Sequence, residues 1–169
     1  SFLRAGSIRS LGLSSPTAFG GIKVTGHVMV PVIPIAFTNA PAPFTAGQLQ
    51  DQLFSPAPQG GPYSLKTFYE QMSNGNITLD GQVFPWVPAL NPDTYYEDAG
   101  NGVGIGHTCT HGGVRLGELL MQALNAVSTG PDRATVWAAF DNDGPDGVPN
   151  SGDDDGVVDF FTFLQAALV

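Results

Sequence analysis

Aspartates are concentrated in one stretch near the end of the chain. Residues 141–159 hold seven of the 15 acidic residues, and removing these seven would change the formal net charge from −9 to −2. Carboxylates at alternate positions, as at Asp141 and Asp143 or Asp153 and Asp155, repel one another unless a cation neutralises them. The interleaved glycines let the backbone bend tightly around such a centre. A hard cation that takes six to eight oxygen ligands fits this pattern, which therefore predicts calcium.

The acidic stretch divides into two short loops joined by a turn at Pro149-Asn150. It is not an EF-hand, because the spacing differs and no glutamate closes the loop. A solvated acidic linker is the alternative interpretation, but apolar residues lie close on both sides. We expect the two loops to bind one shared ion or two separate ions through six carboxylates: Asp141, Asp143 and Asp146 in the first loop, and Asp153, Asp155 and Asp159 in the second.

No catalytic residue is predicted. His107, Cys109 and His111 lie within five residues, but a structural zinc site needs four ligands and no fourth is near in sequence. We interpret them as two loop histidines beside a cysteine that is free, paired with another chain, or paired with protein outside this chain. The sequence has neither a Gly-x-Ser-x-Gly elbow nor a phosphate-binding loop that ends in Gly-Lys-Ser/Thr.

The composition indicates one domain with many turns. Only 12% of the 169 residues are charged, and there are 22 glycines and 14 prolines. The six lysines and arginines are scattered, which argues against nucleic acid as a partner. No apolar run is long enough to span a membrane, and no signal peptide is visible. We expect a secreted, extracellular protein, because calcium is plentiful outside the cell.

Two strands are predicted to form a mixed, twisted sheet. Residues 1–21 read as an extended arm, and residues 22–169 as an α/β domain, with α+β as the alternative. Val30 to Phe37 is almost continuously apolar, as in a strand buried on both faces, although Pro31 and Pro34 complicate its pairing. Val157 to Leu164 is expected to be a central strand that follows the acidic loops.

Three helices are predicted from caps and apolar periodicity. Thr45 begins the first, which ends at Phe54, and Ser64 begins the second, which ends near Ser73. The third extends from about Val114 to Val127. The apolar stripe of the second helix is expected to pack inward, and it consists of Leu65, Phe68, Tyr69 and Met72.

The connections between these elements are predicted from turn residues. The dipeptide Asp80-Gly81 predicts a hairpin of two short strands. Residues 91–113 are expected to form a loop. The chain ends on an apolar stretch, so we expect that the domain is incomplete and continues into more protein.

Two of these stretches resemble the secreted metalloproteases of the immune-inhibitor-A type. Met29-Val-Pro-Val-Ile-Pro-Ile-Ala-Phe37 is similar to the opening strand of that family and is followed, after a gap, by Leu53-Phe54. Ser64-Leu-Lys-Thr-Phe-Tyr-Glu-Gln-Met-Ser-Asn-Gly75, then Leu79-Asp-Gly-Gln-Val83 and Trp86, resembles its pattern of a helix end, a Gly-x-Val strand and a tryptophan.

A third stretch completes the resemblance. Phe140-Asp-Asn-Asp-Gly144 to Gly156-Val-Val-Asp159 is similar to the acidic segment that these enzymes carry before a central strand. The resemblance implies an α/β domain of a zinc endopeptidase stabilised by calcium. It also implies a His-Glu-x-x-His helix that binds zinc and activates water, and this chain has no such motif. Two hypotheses follow: the N-terminal part of a protease that is inactive by itself, or a non-catalytic calcium-binding structural or adhesive module that assembles through an open strand edge.

Overall fold

The structure, a computed structural model, describes residues 25–100, 109–129, 133–142, 148 and 151–167. Four strands and five helices form within these ranges, which confirms the α/β class. The strands are β1 (Gly26–Ala36), β2 (Ile77–Val83), β3 (Val87–Pro88) and β4 (Thr162–Gln165). The helices are α1 (Ala46–Phe54), α2 (Leu65–Met72), α3 (Asp93–Glu97), α4 (Arg115–Val127) and α5 (Arg133–Ala138). The expected arm at 1–21 lies outside the described residues.

Strand β1 is the centre of the sheet. Val32 pairs with both β2 and β4, and Ile35 pairs with both β3 and β4. Strands β2 and β3 therefore follow one another along one edge of β1, while β4 lies along the other edge. All three pairings are parallel. Strand β4, which the sequence analysis placed at the centre, is an outer strand over the described part of the chain, and β1 takes the central position.

Pro31 and Pro34 do not interrupt β1, because its neighbours leave gaps opposite them. Successive residues of a strand direct their backbone groups to opposite edges. The Val32 carbonyl accepts from the Phe84 N–H at 2.9 Å, so even-numbered positions such as Pro34 face the β2 and β3 edge. Pro34 lies there between the end of β2 and the start of β3. Pro31 faces the other edge, one residue before the pairing with β4 begins at Val32 and Thr162.

Each face of the sheet carries its own core. One face packs against α1 and α2, and its buried residues are Val30, Val32, Phe54, Leu79 and Val83. The opposite face packs against α4 and includes Ile33, Ile35, Leu119, Ala123 and Phe140. Val32 and Ile33 are only 1% and 0% exposed, which confirms that β1 is buried on both faces. None of the helices in the described ranges is long and apolar enough to cross a membrane.

The three predicted helices are confirmed at their expected positions. At the start of α1, the Thr45 hydroxyl accepts from the Gln48 N–H at 3.1 Å, and the Gln48 side chain accepts from the Thr45 N–H at 2.8 Å. This reciprocal pair satisfies two of the backbone donors that a helix start leaves open. Helix α4 buries Leu119 and Ala123 against β1, as its periodicity predicts.

The expected burial of the α2 stripe is wrong. Leu65 packs against the core, but Phe68 is 49%, Tyr69 41% and Met72 70% exposed. Helix α2 packs against β2 and α1, and no element among the described residues covers its other apolar side. Periodicity reveals that a helix has an apolar stripe, whereas the neighbouring elements decide how much of the stripe is covered.

Two short helices were not predicted. Helix α3 lies within residues 91–113, which the sequence analysis assigned to a loop, and α5 precedes the acidic stretch. They contain only five and six residues. Fewer than two helical turns give too few positions for a 3.6-residue period to show.

The predicted hairpin at Asp80-Gly81 is also wrong, since β2 continues through both residues and pairs with β1. Gly81 is needed for close packing and not for a turn. A Cβ at Gly81 would lie 2.3 Å from the Phe54 ring and 2.5 Å from the Val30 carbonyl oxygen. Glycine within a strand often marks such a close approach.

We predict that Gly81→Ala destabilises the protein by about 1–3 kcal/mol, because the added methyl group forces Phe54 or the β1 backbone to move. The matched control is Gly117→Ala within α4, where a Cβ meets nothing within 4 Å. That change should stabilise the protein by about 0.5–1 kcal/mol, since alanine favours a helix interior. Urea unfolding followed by circular dichroism measures both. Equal effects of the two substitutions would contradict the packing role of Gly81.

Candidate functional site

Four of the six predicted calcium ligands lie within the described residues. Asp141 is only 5% exposed, whereas three others are on the surface: Asp153, Asp155 and Asp159. Asp143 and Asp146 lie outside the described residues. The described residues therefore include the start of the first loop and most of the second.

Phe140 brings the acidic stretch against the sheet. Its side chain is completely buried, with its ring centre 6.1 Å from that of Phe84 and 6.0 Å from that of Trp137. Its N–H donates to the Trp137 carbonyl at 2.9 Å, which turns the chain at the end of α5. Burial of this ring places the start of the acidic stretch beside β1, where Asn142 contacts Met29.

Asn142 pairs with β1 in place of a strand. Its side-chain Oδ1 accepts from the Met29 N–H at 2.5 Å, and its Nδ2 donates to the Met29 carbonyl at 3.0 Å. The same Nδ2 also donates to the Phe140 carbonyl at 2.9 Å. A primary amide offers the same donor and acceptor as a peptide group. One side chain thus satisfies the backbone of β1 just before β4 begins.

Backbone donors connect the two ends of the acidic stretch. The Gly156 N–H donates to Asp141 Oδ2 at 2.7 Å, and the Asn142 N–H donates to Asp159 Oδ2 at 2.7 Å. Asp141 belongs to the first predicted loop and Asp159 to the second. The structure therefore brings together the two ends of the acidic stretch, which are far apart in the sequence.

The second loop folds its carboxylates back onto its own backbone. Asp155 Oδ1 accepts from the Val157 N–H at 2.9 Å, and Asp154 Oδ2 accepts from the Ser151 N–H at 2.7 Å. The Ser151 hydroxyl donates to Asp153. Such short-range bonds are typical of aspartate in tight turns. They order the loop, and they leave the buried Oδ1 of Asp154 without a hydrogen-bond partner among the described residues.

No group of three or more His, Cys, Asp or Glu side chains in the described ranges is arranged to hold a metal ion. The calcium site predicted at Asp141, Asp143, Asp146, Asp153, Asp155 and Asp159 therefore stays a prediction. In the described parts of the acidic stretch, backbone N–H groups bind several of the carboxylates.

The two described histidines bind carboxylates. His27 Nε2 lies 3.0 Å from Asp80 Oδ2, and the Lys66 ammonium donates to the other oxygen of Asp80 at 2.6 Å. His111 Nδ1 lies 2.5 Å from Asp98 Oδ1. His111 lies in a turn, as expected of a loop histidine, whereas His107 lies outside the described residues. Cys109 is a buried free thiol.

Both histidine-bound carboxyls have lowered pKa values. Burial raises the pKa of Asp80, but the hydrogen bonds and positive charges of Lys66 and His27 outweigh burial and hold this pKa below its ordinary value. At Asp98, burial likewise raises the pKa. The hydrogen bonds from the ring and backbone of His111 outweigh it and lower that pKa. Both groups are thus carboxylates at neutral pH, bound to protein donors.

Several important side chains were not found from the sequence. Asn142 stands between two aspartates, and nothing in its neighbours distinguishes a residue that pairs with β1 from a metal ligand. Asp80 stands in a dipeptide typical of a turn, and that pattern gives no indication of its ion pair with Lys66. No local pattern indicates that Asp98 binds a histidine, because its partner His111 is 13 positions away.

The described parallel sheet, with helices on both faces, defines an α/β domain. Residues 39–168 match the sequence model of the family described as Immune inhibitor A peptidase M6, catalytic domain. This match covers more than half of the chain. The protein therefore belongs to the immune inhibitor A peptidase M6 family, and its function is of the metallopeptidase type. Comparisons with curated proteins and with solved structures found no match.

We predict that Asn142→Asp destabilises the protein by about 1–3 kcal/mol, because it replaces the donor to the Met29 and Phe140 carbonyls with a second acceptor. Asn125→Asp, at an exposed position of α4, is the matched control for the charge. Urea unfolding in the presence of a chelator separates this effect from any change in ion binding. If both substitutions alter the unfolding free energy equally, Asn142 does not anchor the acidic segment.

Proposed function

We propose that this chain is the N-terminal part of the catalytic domain of a secreted, calcium-stabilised zinc metalloendopeptidase, and that it does not cleave peptides by itself. The observation that carries the proposal is the family match over residues 39–168 in a sequence that contains no His-Glu-x-x-His. The fold supplies the sheet and helices of such a domain, while the zinc ligands must come from polypeptide outside this sequence.

The residues present do not fit a catalytic zinc ion. Such a site takes three protein ligands and leaves one position open for water. His27 and His111, the histidines within the described ranges, lie on different segments and each binds its own aspartate. We therefore assign no step of peptide hydrolysis to any residue of this chain.

Calcium is the proposed ion for the acidic stretch, held by Asp141, Asp143, Asp146, Asp153, Asp155 and Asp159. Two observations support it. The contacts of Gly156 with Asp141 and of Asn142 with Asp159 bring the ends of both loops together. In addition, Lys66 and Arg115 form their ion pairs with carboxylates elsewhere in the described structure, so they do not neutralise this concentration of negative charge.

The proposed extracellular location follows from the proposed ion. Extracellular calcium-binding modules function with dissociation constants of about 10⁻⁴–10⁻³ M. A secreted protein would keep such a site filled.

We predict that removing calcium lowers the melting temperature, because an ion that binds only the folded state stabilises it by mass action. Asp143→Ala and Asp155→Ala should each reduce the difference in melting temperature between calcium and chelator. Asp51→Ala is the control, since Asp51 accepts a hydrogen bond from the Gln59 N–H in a different part of the surface. Identical melting curves in calcium and in chelator would refute a calcium-binding role.

The catalytic assignment is tested separately, by the reading frame that follows the codon for Val169. A protease predicts a His-Glu-x-x-His sequence downstream, and co-expression of that part should yield zinc binding and casein hydrolysis that this chain lacks. A frame that ends without the motif would overturn the protease proposal and favour a non-catalytic calcium-binding module. The calcium experiment keeps its meaning in either case.

A further inference from the structure

An open cleft lies along the outer side of α1. Its volume is about 800 Å³, which is within the range of about 300–1,000 Å³ that is usual for ligand sites. Phe44 lies at one end, just before the helix begins, and the segment Gln59-Gly60 forms the other end. The wall between them belongs to α1 and includes Gln48, Asp51 and Gln52. The cleft is therefore separate from the acidic stretch and from both described histidines.

The directions of the α1 side chains separate this cleft from the sheet. Gln50 faces the sheet, since its Nε2 donates to the Gly81 carbonyl at 2.8 Å and its Oε1 accepts from the Val83 N–H at 2.7 Å. Gln48 and Gln52 are each two positions from Gln50, so the helix directs them about 200° around its axis, to the opposite side. Gln50 binds the outer edge of β2, whereas β4 pairs with the other edge of β1. The cleft thus lies on the side of the sheet that is away from β4.

Hydrogen bonds hold the walls of the cleft in place. The Gln59 N–H donates to Asp51 Oδ2 at 2.8 Å, and the Ala57 N–H donates to the Ser55 hydroxyl at 3.2 Å. These bonds fix the loop that follows α1 against the C-terminal half of the helix. A site whose walls are already in place loses less conformational entropy when a ligand binds.

The lining favours a neutral, polar ligand. All residues that line the cleft are described, and Asp51 is the one ionisable residue among them. Without a lysine or an arginine, the cleft offers no charge to attract an anion. Over the described part of the chain, the side-chain amides of Gln52 and Gln59 bind no protein group. Each of these amides therefore offers two donors and one acceptor to a ligand.

We propose that this cleft binds a neutral oligosaccharide. Adjacent hydroxyl groups of a sugar ring match the donor and the acceptor of one amide. The faces of the ring carry C–H groups that stack on an aromatic side chain, and Phe44 is 56% exposed at the end of the cleft. From Thr45 to Gln52 the helix rises about 10 Å, which is long enough for a disaccharide unit. A further protein segment matches this cleft less well, because such segments pack mainly on apolar surface, and polar side chains predominate here.

Titration of the isotope-labelled full chain with maltotriose, cellotriose and triacetylchitotriose, followed by NMR, tests the proposal. We expect saturable binding of at least one of these sugars, with a dissociation constant of about 1 mM or lower. Phe44→Ala should weaken this binding about fivefold or more, because the stacking surface is lost. The matched control is Phe68→Ala, whose ring is 49% exposed on α2 and whose loss should leave sugar binding unchanged.

Gly60→Ala tests the Gln52 amide without removing it. A Cβ at Gly60 would lie 2.6 Å from the Gln52 Nε2, so the added methyl group displaces this flexible side chain from its place in the cleft. We expect weaker sugar binding and an unchanged free energy of unfolding. Gln52→Ala should weaken binding about threefold or more, since its hydrogen bonds are lost. Gln71→Ala, at an exposed position of α2, is its matched control.

Urea unfolding confirms that each variant is folded. Weaker binding in Phe44→Ala and Gln52→Ala, but not in the two α2 variants, supports the proposal. Absence of binding for all three sugars up to about 10 mM overturns it. Binding that the cleft variants leave unchanged also overturns it, because the sugar would then occupy another surface. The proposal depends neither on the catalytic assignment nor on calcium.

Discussion

Strand β1 is buried on both faces, so its backbone donors and acceptors must be satisfied along both edges. Each backbone group that is buried without a partner costs free energy comparable to a lost hydrogen bond. Strands β2 and β3 satisfy one edge in succession, and β4 satisfies part of the other. The gaps between these neighbours coincide with Pro31 and Pro34, the positions that have no N–H to satisfy. This arrangement makes the apolar run of β1 compatible with its two prolines.

Side-chain amides complete the pairing where no strand is available. Gln50 closes β2 and Asn142 closes β1, each with one donor and one acceptor. Asn142 also fixes the position of the acidic stretch, because it lies directly between Asp141 and the proposed calcium ligand Asp143. The proposed calcium site and the pairing of the central strand therefore adjoin each other at this one residue.

The sequence patterns used for prediction involve residues that are close along the chain. They predicted the structure correctly where interactions between such residues dominate. The apolar run of β1 follows from burial on both faces, the Thr45 cap from the open donors of a helix start, and the stripe of α4 from its packing. The failures share a different cause. Asp80-Gly81 has the composition of a turn, but Gly81 is there because Phe54, 27 positions earlier, occupies the space above it.

The sequence by itself determined the α/β class, three helices, the burial of β1 on both faces and the concentration of aspartates, because each depends on residues a few positions apart. Only the tertiary structure decided which edge β4 occupies, how much of α2 stays exposed, and that the two ends of the acidic stretch meet. These outcomes depend on contacts between distant segments. Hydrophobic periodicity and residue composition show that a residue will be buried or hydrogen-bonded. They do not show which distant segment will provide its partner, because that depends on how the whole chain packs.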